Sequence, residues 1–248
     1  MAAGLLWAVL PLAAGASGLS VMPAGVEFAA GQGVQGLWLR NTGATPVDVQ
    51  LRLFQWTQEA GDDRLTPSTR LTVSPPMTRI APGQRQLVRI IRTRAGASPA
   101  PAGREQSFRL LVDELPPAVT EPGAPRAGLN FVLSFSVPVF VAPESAPAPS
   151  APARLSLERA PSGPVRLQAR NPTPRRLQLA DLRLLDGAGE TVFARPGLLG
   201  YVLAGTERSW PLELEAGTWA AVKEIRIRIN GETVRHALSA LPLEWPAP

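Results

Sequence analysis

Side chains able to carry covalent or metal chemistry are few in this 248-residue sequence and poorly spaced for it. Cysteine is absent, which removes thiol nucleophiles, thiolate metal sites and disulfides together. His236 is the single histidine and lies in TVRHAL, which reads as one arm of a hairpin. Two carboxylate pairs, Asp62-Asp63 and Asp113-Glu114, are adjacent in sequence. On a strand such neighbours point to opposite faces, so they are badly placed to share a proton or a metal. Gly31 to Gly36 has the letters of a dinucleotide-binding loop, but a strand follows it where the phosphates need the N-terminus of a helix. No phosphate loop, His-Glu helix motif or Gly-x-Ser-x-Gly elbow occurs. The reading is of a protein that is not an enzyme, with no catalytic residue, no cofactor and no metal.

What the chain does carry is the chemistry of non-covalent contact. From Leu129 to Val141, LNFVLSFSVPVFV, every odd position is apolar: Leu129, Phe131, Leu133, Phe135, Val137, Val139 and Val141. As one strand this stretch would run roughly 43 Å, far beyond the usual length. Pro138 cannot donate to a ladder and so points to an edge strand or a bulge. A long apolar edge is an aggregation hazard, and its presence suggests that strand pairing with a partner is the function. The charged groups are arginine-rich: of 25 basic residues only Lys223 is a lysine, against 20 acidic ones, for a net charge of +5. No compact basic run or interleaved aromatics accompany them, which argues against nucleic acid.

The elements that must position these residues are strands. Hydrophobic residues make up 45% of the chain, enough for a packed core, and 27 prolines and 22 glycines break it into short alternating runs. Val26–Phe28, Val34–Asn41, Val47–Trp56, Gln84–Arg92 and Ser107–Leu115 read as strands, with turn chemistry at Thr45-Pro46, Gly61-Asp62-Asp63 and Ala81-Pro82-Gly83. APESAPAPSAPA, residues 142–153, is a stiff spacer. Beyond it Arg154–Glu158, Val165–Asn171, Arg176–Leu185, Thr206–Leu214 and Ile225–Ile229 read as strands again, with hairpin signals at Asp186-Gly187 and Asn230-Gly231. The expected class is all-β, with two sandwiches at 17–141 and 154–248. Residues 2–16 are apolar, uncharged and end in Ala14-Gly15-Ala16, the small-x-small form of a secretory leader cleaved after residue 16. That run is too short for a membrane anchor, so no stable membrane insertion is expected.

Four segments together resemble the PapD-like periplasmic pilus chaperones of the chaperone–usher pathway: SPPMTRIAPGQRQLVRI (Ser74–Ile90), GREQSFRLLVDELPP (Gly103–Pro117), PVFVAP (Pro138–Pro143) and RNPTP (Arg170–Pro174). GLLGYVLAGTERSWPL (Gly197–Leu212) and PVFV are more similar to the archaic, spore-coat-U-like branch. The resemblance implies a boomerang of two immunoglobulin-like domains and a periplasmic, ATP-independent role. It implies a donor strand at 129–141 that completes unfinished pilus subunits, with Leu129, Phe131, Leu133, Phe135 and Val137 as its knobs. It also implies hand-over to an outer-membrane usher, and an exposed strand of this kind allows a self-capped homodimer. A structural or adhesive immunoglobulin-like surface protein is the alternative, although such a module would blunt its edge with charge.

Two departures from the family's pattern stand out. The basic pair that holds the subunit's C-terminal carboxylate is replaced by Gly25 and Pro138. Arg89, Arg92 and Arg104 are the substitutes expected from strand order. Glu105 matches the glutamate of an interdomain ion pair, but its usual arginine is replaced by Ala142.

Overall fold

The computed structural model describes residues 18–94, 103–116, 132–146, 148, 151–159, 164–214, 216–238 and 243–245. Ten strands come first: β1 (Leu19–Met22), β2 (Val26–Phe28), β3 (Val34–Asn41), β4 (Val47–Glu59), β5 (Asp62–Pro67), β6 (Leu71–Ser74), β7 (Met77–Ile80), β8 (Arg85–Arg92), β9 (Gln106–Glu114) and β10 (Ser134–Val141). One sheet has the order β1-β3-β8-β6, the other β2-β10-β9-β4-β5 with β7 also on β4. Leu37, Leu39, Val49, Val88, Ile90, Phe108, Leu110, Val112 and Val139 fill the space between them without solvent exposure. Alternate residues of each strand face this core, as the period-two pattern requires.

The second unit has β11 (Ala153–Arg159), β12 (Val165–Asn171), β13 (Leu177–Leu185), β14 (Thr191–Val202), β15 (Thr206–Leu212), β16 (Glu224–Ile229), β17 (Glu232–Ala237) and β18 (Leu243–Trp245), with one short helix, α1 (Ala216–Ala221). Its sheets run β15-β12-β11-β18 and β14-β13-β16-β17 over a core of its own. The chain is thus all-β, built as two immunoglobulin-like sandwiches.

One device recurs in both units. Asn41, at the end of β3, donates through Nδ2 to the carbonyls of Thr45 and Ile80, and its Oδ1 accepts from the Gly43 amide. Asn171, at the end of β12, donates to the carbonyls of Arg175, Val202 and Leu203 and accepts from the Thr173 amide. Both side chains are buried, and each supplies partners that a turn leaving the core would otherwise lack.

Several expectations shift in detail. The β4–β5 turn is Ala60-Gly61, both at positive φ, while Asp62 and Asp63 belong to the strand beyond it. A two-residue turn of this kind matches the twist of its flanking strands. Asn230-Gly231 has the same geometry between β16 and β17. The 13-residue strand expected at 129–141 is, in its described part, the eight residues of β10, about 26 Å long. Leu129 and Phe131 lie outside the described residues.

Candidate functional site

One edge of β10 is paired along its full length and the other along only its second half. On one side it pairs with β9 throughout, from Ser134↔Asp113 to Val141↔Gln106. On the other, only Val139–Val141 have a partner, the parallel strand β2. The Glu114 amide donates to the Leu133 carbonyl, so odd residues of β10 bond to β9. Even residues therefore direct their backbone groups the other way, and the Ala142 amide does reach the Phe28 carbonyl. Pro138 is even: its missing N–H faces the β2 side and costs the β9 ladder nothing. Before it, no strand among the described residues pairs with the outward groups of Ser134 and Ser136. The proline thus sits where a free edge ends and the ladder with β2 begins, so β10 is an edge strand only in its first half.

The odd side chains point into the first sandwich. Val137 is 4% exposed and belongs to the core with Val139 and Val141. Leu133 and Phe135 pack on the rim of that core and are only partly buried. Val132, next to Leu133, is exposed. The strand is held by its other face: Ser134 Oγ and Asp113 Oδ1 are 2.6 Å apart, and Asp113 is also paired with Arg52 at 2.9 Å. Burial works to raise the Asp113 pKa, but the hydrogen bonds from Ser134 and Arg52 and the Arg52 charge hold it below the ordinary aspartate value.

The even face of β10 continues into a cleft between the two sandwiches. Trp56, Phe140 and Tyr201 form a buried triangle with ring centroids 5.4 to 6.0 Å apart. The Arg109 guanidinium lies 3.7 Å from the Trp56 ring and the Arg176 guanidinium 3.7 Å from Phe140. Gln58 crosses between the units, donating to the Tyr201 carbonyl and to Asp63, and accepting from the Leu203 amide and the Thr206 hydroxyl. Glu105, almost fully buried, meets Arg176 Nη1 at 2.6 Å, and Arg176 also pairs with Glu27. Burial pushes the Glu105 carboxyl up, against the pull of Arg176. The arginine missing at Ala142 is therefore supplied by the second unit, from the residue before β13.

Gly25 and Pro138 are neighbours, since a Cβ on Gly25 would stand 3.5 Å from the Pro138 ring. The three arginines expected to replace their charge lie elsewhere. Arg89 is on the outer face of the first sheet, opposite Gly36 and Ser74. Arg92 borders a cavity of about 240 Å³ with Gly103, Gln106 and the segment after β10. Arg104 lines an interdomain cavity of about 430 Å³ beside Arg170 and Glu207, with its guanidinium over Gly205, whose φ is +74. These three arginines are not brought together.

A cation that the sequence reading passed over stands beside Pro138. Arg109 is its direct partner in the β9–β10 ladder and rises on the same face. Its Nη1 reaches the Ser136 carbonyl at 3.5 Å, on the free half of β10. Burial lowers its pKa, partly offset by Asp63 and Tyr201, and it forms no ion pair among the described residues. A half-buried guanidinium that no salt bridge engages among the described residues keeps its fork of N–H donors available beside Pro138.

Comparison with known proteins agrees with this architecture. Residues 18–147 match the family model described as pili and flagellar-assembly chaperone, PapD N-terminal domain. No curated protein sequence matches the chain. Among solved structures, the fold is similar to the CsuC–CsuE chaperone–tip adhesion subunit pre-assembly complex of archaic Csu pili of Acinetobacter baumannii. That match has TM-score 0.64 and 21% identity and covers 88% of this chain and 97% of that one. The SafA pilin in complex with the SafB chaperone of Salmonella enterica gives TM-score 0.62 at 19% identity, covering 90% and 97%. The CupB2 chaperone of Pseudomonas aeruginosa gives 0.56 at 20%, covering 88% and 98%.

Proposed function

The chain belongs to the PapD-like pilus and flagellar-assembly chaperones, and on that premise we propose that it keeps unfinished pilus subunits folded by lending them the free half of β10. The observation that carries this reading is the edge before Pro138, which has no strand partner among the described residues, with Leu133 and Phe135 half-exposed on it. A subunit strand laid there gains ladder hydrogen bonds from the even residues and apolar contact from the odd ones. Leu129 and Phe131 extend the row of knobs. Val137, already in the core, anchors the strand rather than filling a groove. Each half-exposed knob has about 1 kcal/mol of burial left to gain, so the backbone ladder and the two outer residues supply much of the binding.

Arg109 takes the role of the basic group absent at Gly25 and Pro138 and holds the subunit's C-terminal carboxylate, in place of Arg89, Arg92 or Arg104. The chaperone acts in the periplasm after export on the leader at 1–16. It passes its subunit to an outer-membrane usher without ATP, release being driven by exchange for another subunit's strand. When no subunit is bound, the same edge can cap a second copy.

The test is periplasmic co-expression with a candidate subunit encoded beside this gene, followed by pull-down. Leu133→Asp abolishes co-purification, and Arg109→Gln weakens it at least tenfold, as expected for a lost charged hydrogen bond of about 1.5–3 kcal/mol. Recovery unchanged by Leu133→Asp refutes strand donation. Recovery unchanged by Arg109→Gln alone refutes only the anchor.

A further inference from the structure

The outer face of the β1-β3-β8-β6 sheet carries an apolar row between two rows bearing arginine. Met22, Trp38 and Leu87 are register neighbours on three adjacent strands, and Met22 is 68% and Trp38 41% exposed. On one side of this row Arg40 faces Arg85 directly; on the other Arg89 stands opposite Gly36. The outward positions of these four strands hold no aspartate or glutamate, and none of the three arginines forms an ion pair among the described residues. Like charges opposite each other weaken a sheet, so Arg40 and Arg85 work against the fold unless something anionic joins them. The Arg85 guanidinium already lies 4.6 Å from the Trp38 ring, which holds cation and indole together on the surface.

We propose that this face docks peripherally on a membrane surface of anionic phospholipid. Tryptophan favours the headgroup level of a bilayer, and guanidinium forks match phosphate oxygens. An open sheet with an apolar row flanked by cations presents both at strand spacing, about 4.8 Å. A second copy of the chain would bring arginine against arginine, and a protein partner would need an acidic counter-face. The docking face belongs to the sheet that lacks β10, so a membrane-bound chaperone keeps its free edge and Arg109 open to a subunit. The inference does not depend on the strand-donation reading.

The experiment is co-sedimentation of the mature chain with vesicles of phosphatidylcholine alone and mixed with phosphatidylglycerol. Wild type partitions onto the mixed vesicles, and binding falls as salt is raised. Arg40→Gln with Arg89→Gln, both at exposed positions with no ion pair among the described residues, lowers partitioning about thirtyfold, from about fivefold per arginine. Trp38→Ser lowers it as well, with the unfolding midpoint reporting that each variant is folded. Leu133→Asp partitions like wild type. The proposal is overturned if wild type does not bind mixed vesicles, if it binds neutral ones equally, if the double variant partitions unchanged, or if Leu133→Asp loses as much as the double variant.

Discussion

Asp113 illustrates how single residues tie β10 to its sheet. Its carboxylate receives Arg52 from β4 and contacts the Ser134 hydroxyl of β10, which together hold its pKa below the ordinary value of 3.8. A group depressed in this way contributes stability above its unfolded pKa, and that contribution is lost as pH falls through the lower folded value. Asp113→Asn is therefore expected to unfold at lower urea than wild type at neutral pH, with the gap closing toward pH 3. Arg109 shows the limit of reading residues one at a time. In FRLLVDEL it is one of three charged residues on a strand, which is ordinary. Its meaning comes from standing opposite Pro138, and with β9 ending at Glu114 and β10 beginning at Ser134 the two strands lie too far apart in sequence for a local turn signal to reveal that register.

At the scale of elements, the alternation from Leu133 to Val141 was legible because a strand's two faces follow directly from side-chain periodicity. The same pattern does not say whether an inward residue meets its own core or a partner's. The packing of β10 divides them: Val137 inside, Leu133 and Phe135 on the rim. Val137→Ala should cost about 2 kcal/mol of stability, read from urea midpoints, because it removes buried apolar area. Leu133→Asp, proposed above to abolish subunit binding, should leave the midpoint of the free chaperone far less changed. A stability loss for Leu133→Asp as large as for Val137→Ala would mean that both serve only the core. Pro138 was legible as a residue that cannot donate to a ladder and so as an edge strand or a bulge, but only the structure shows that the lost donor faces β2 and not β9.

For the whole molecule, the decisive contacts are those between sandwiches. Arg176 neutralises Glu105 and caps Phe140, while Gln58 satisfies three groups across the boundary, at Tyr201, Leu203 and Thr206. Arg176→Gln leaves Glu105 buried without its cation, an imbalance of about 3 kcal/mol. It should separate the unfolding of the two units in calorimetry and broaden their relative orientation in small-angle scattering. By itself the sequence determined the all-β class, most strand positions, the turns at Pro82-Gly83 and Asn230-Gly231, and the segments shared with the chaperone family, because propensity and periodicity are local. Tertiary structure alone decided which half of β10 pairs with β2, that Arg109 faces Pro138, and that the partner of Glu105 comes from residue 176. Each of these depends on register or contact between segments far apart in the chain, where local sterics impose nothing and only the packed core selects the pairing.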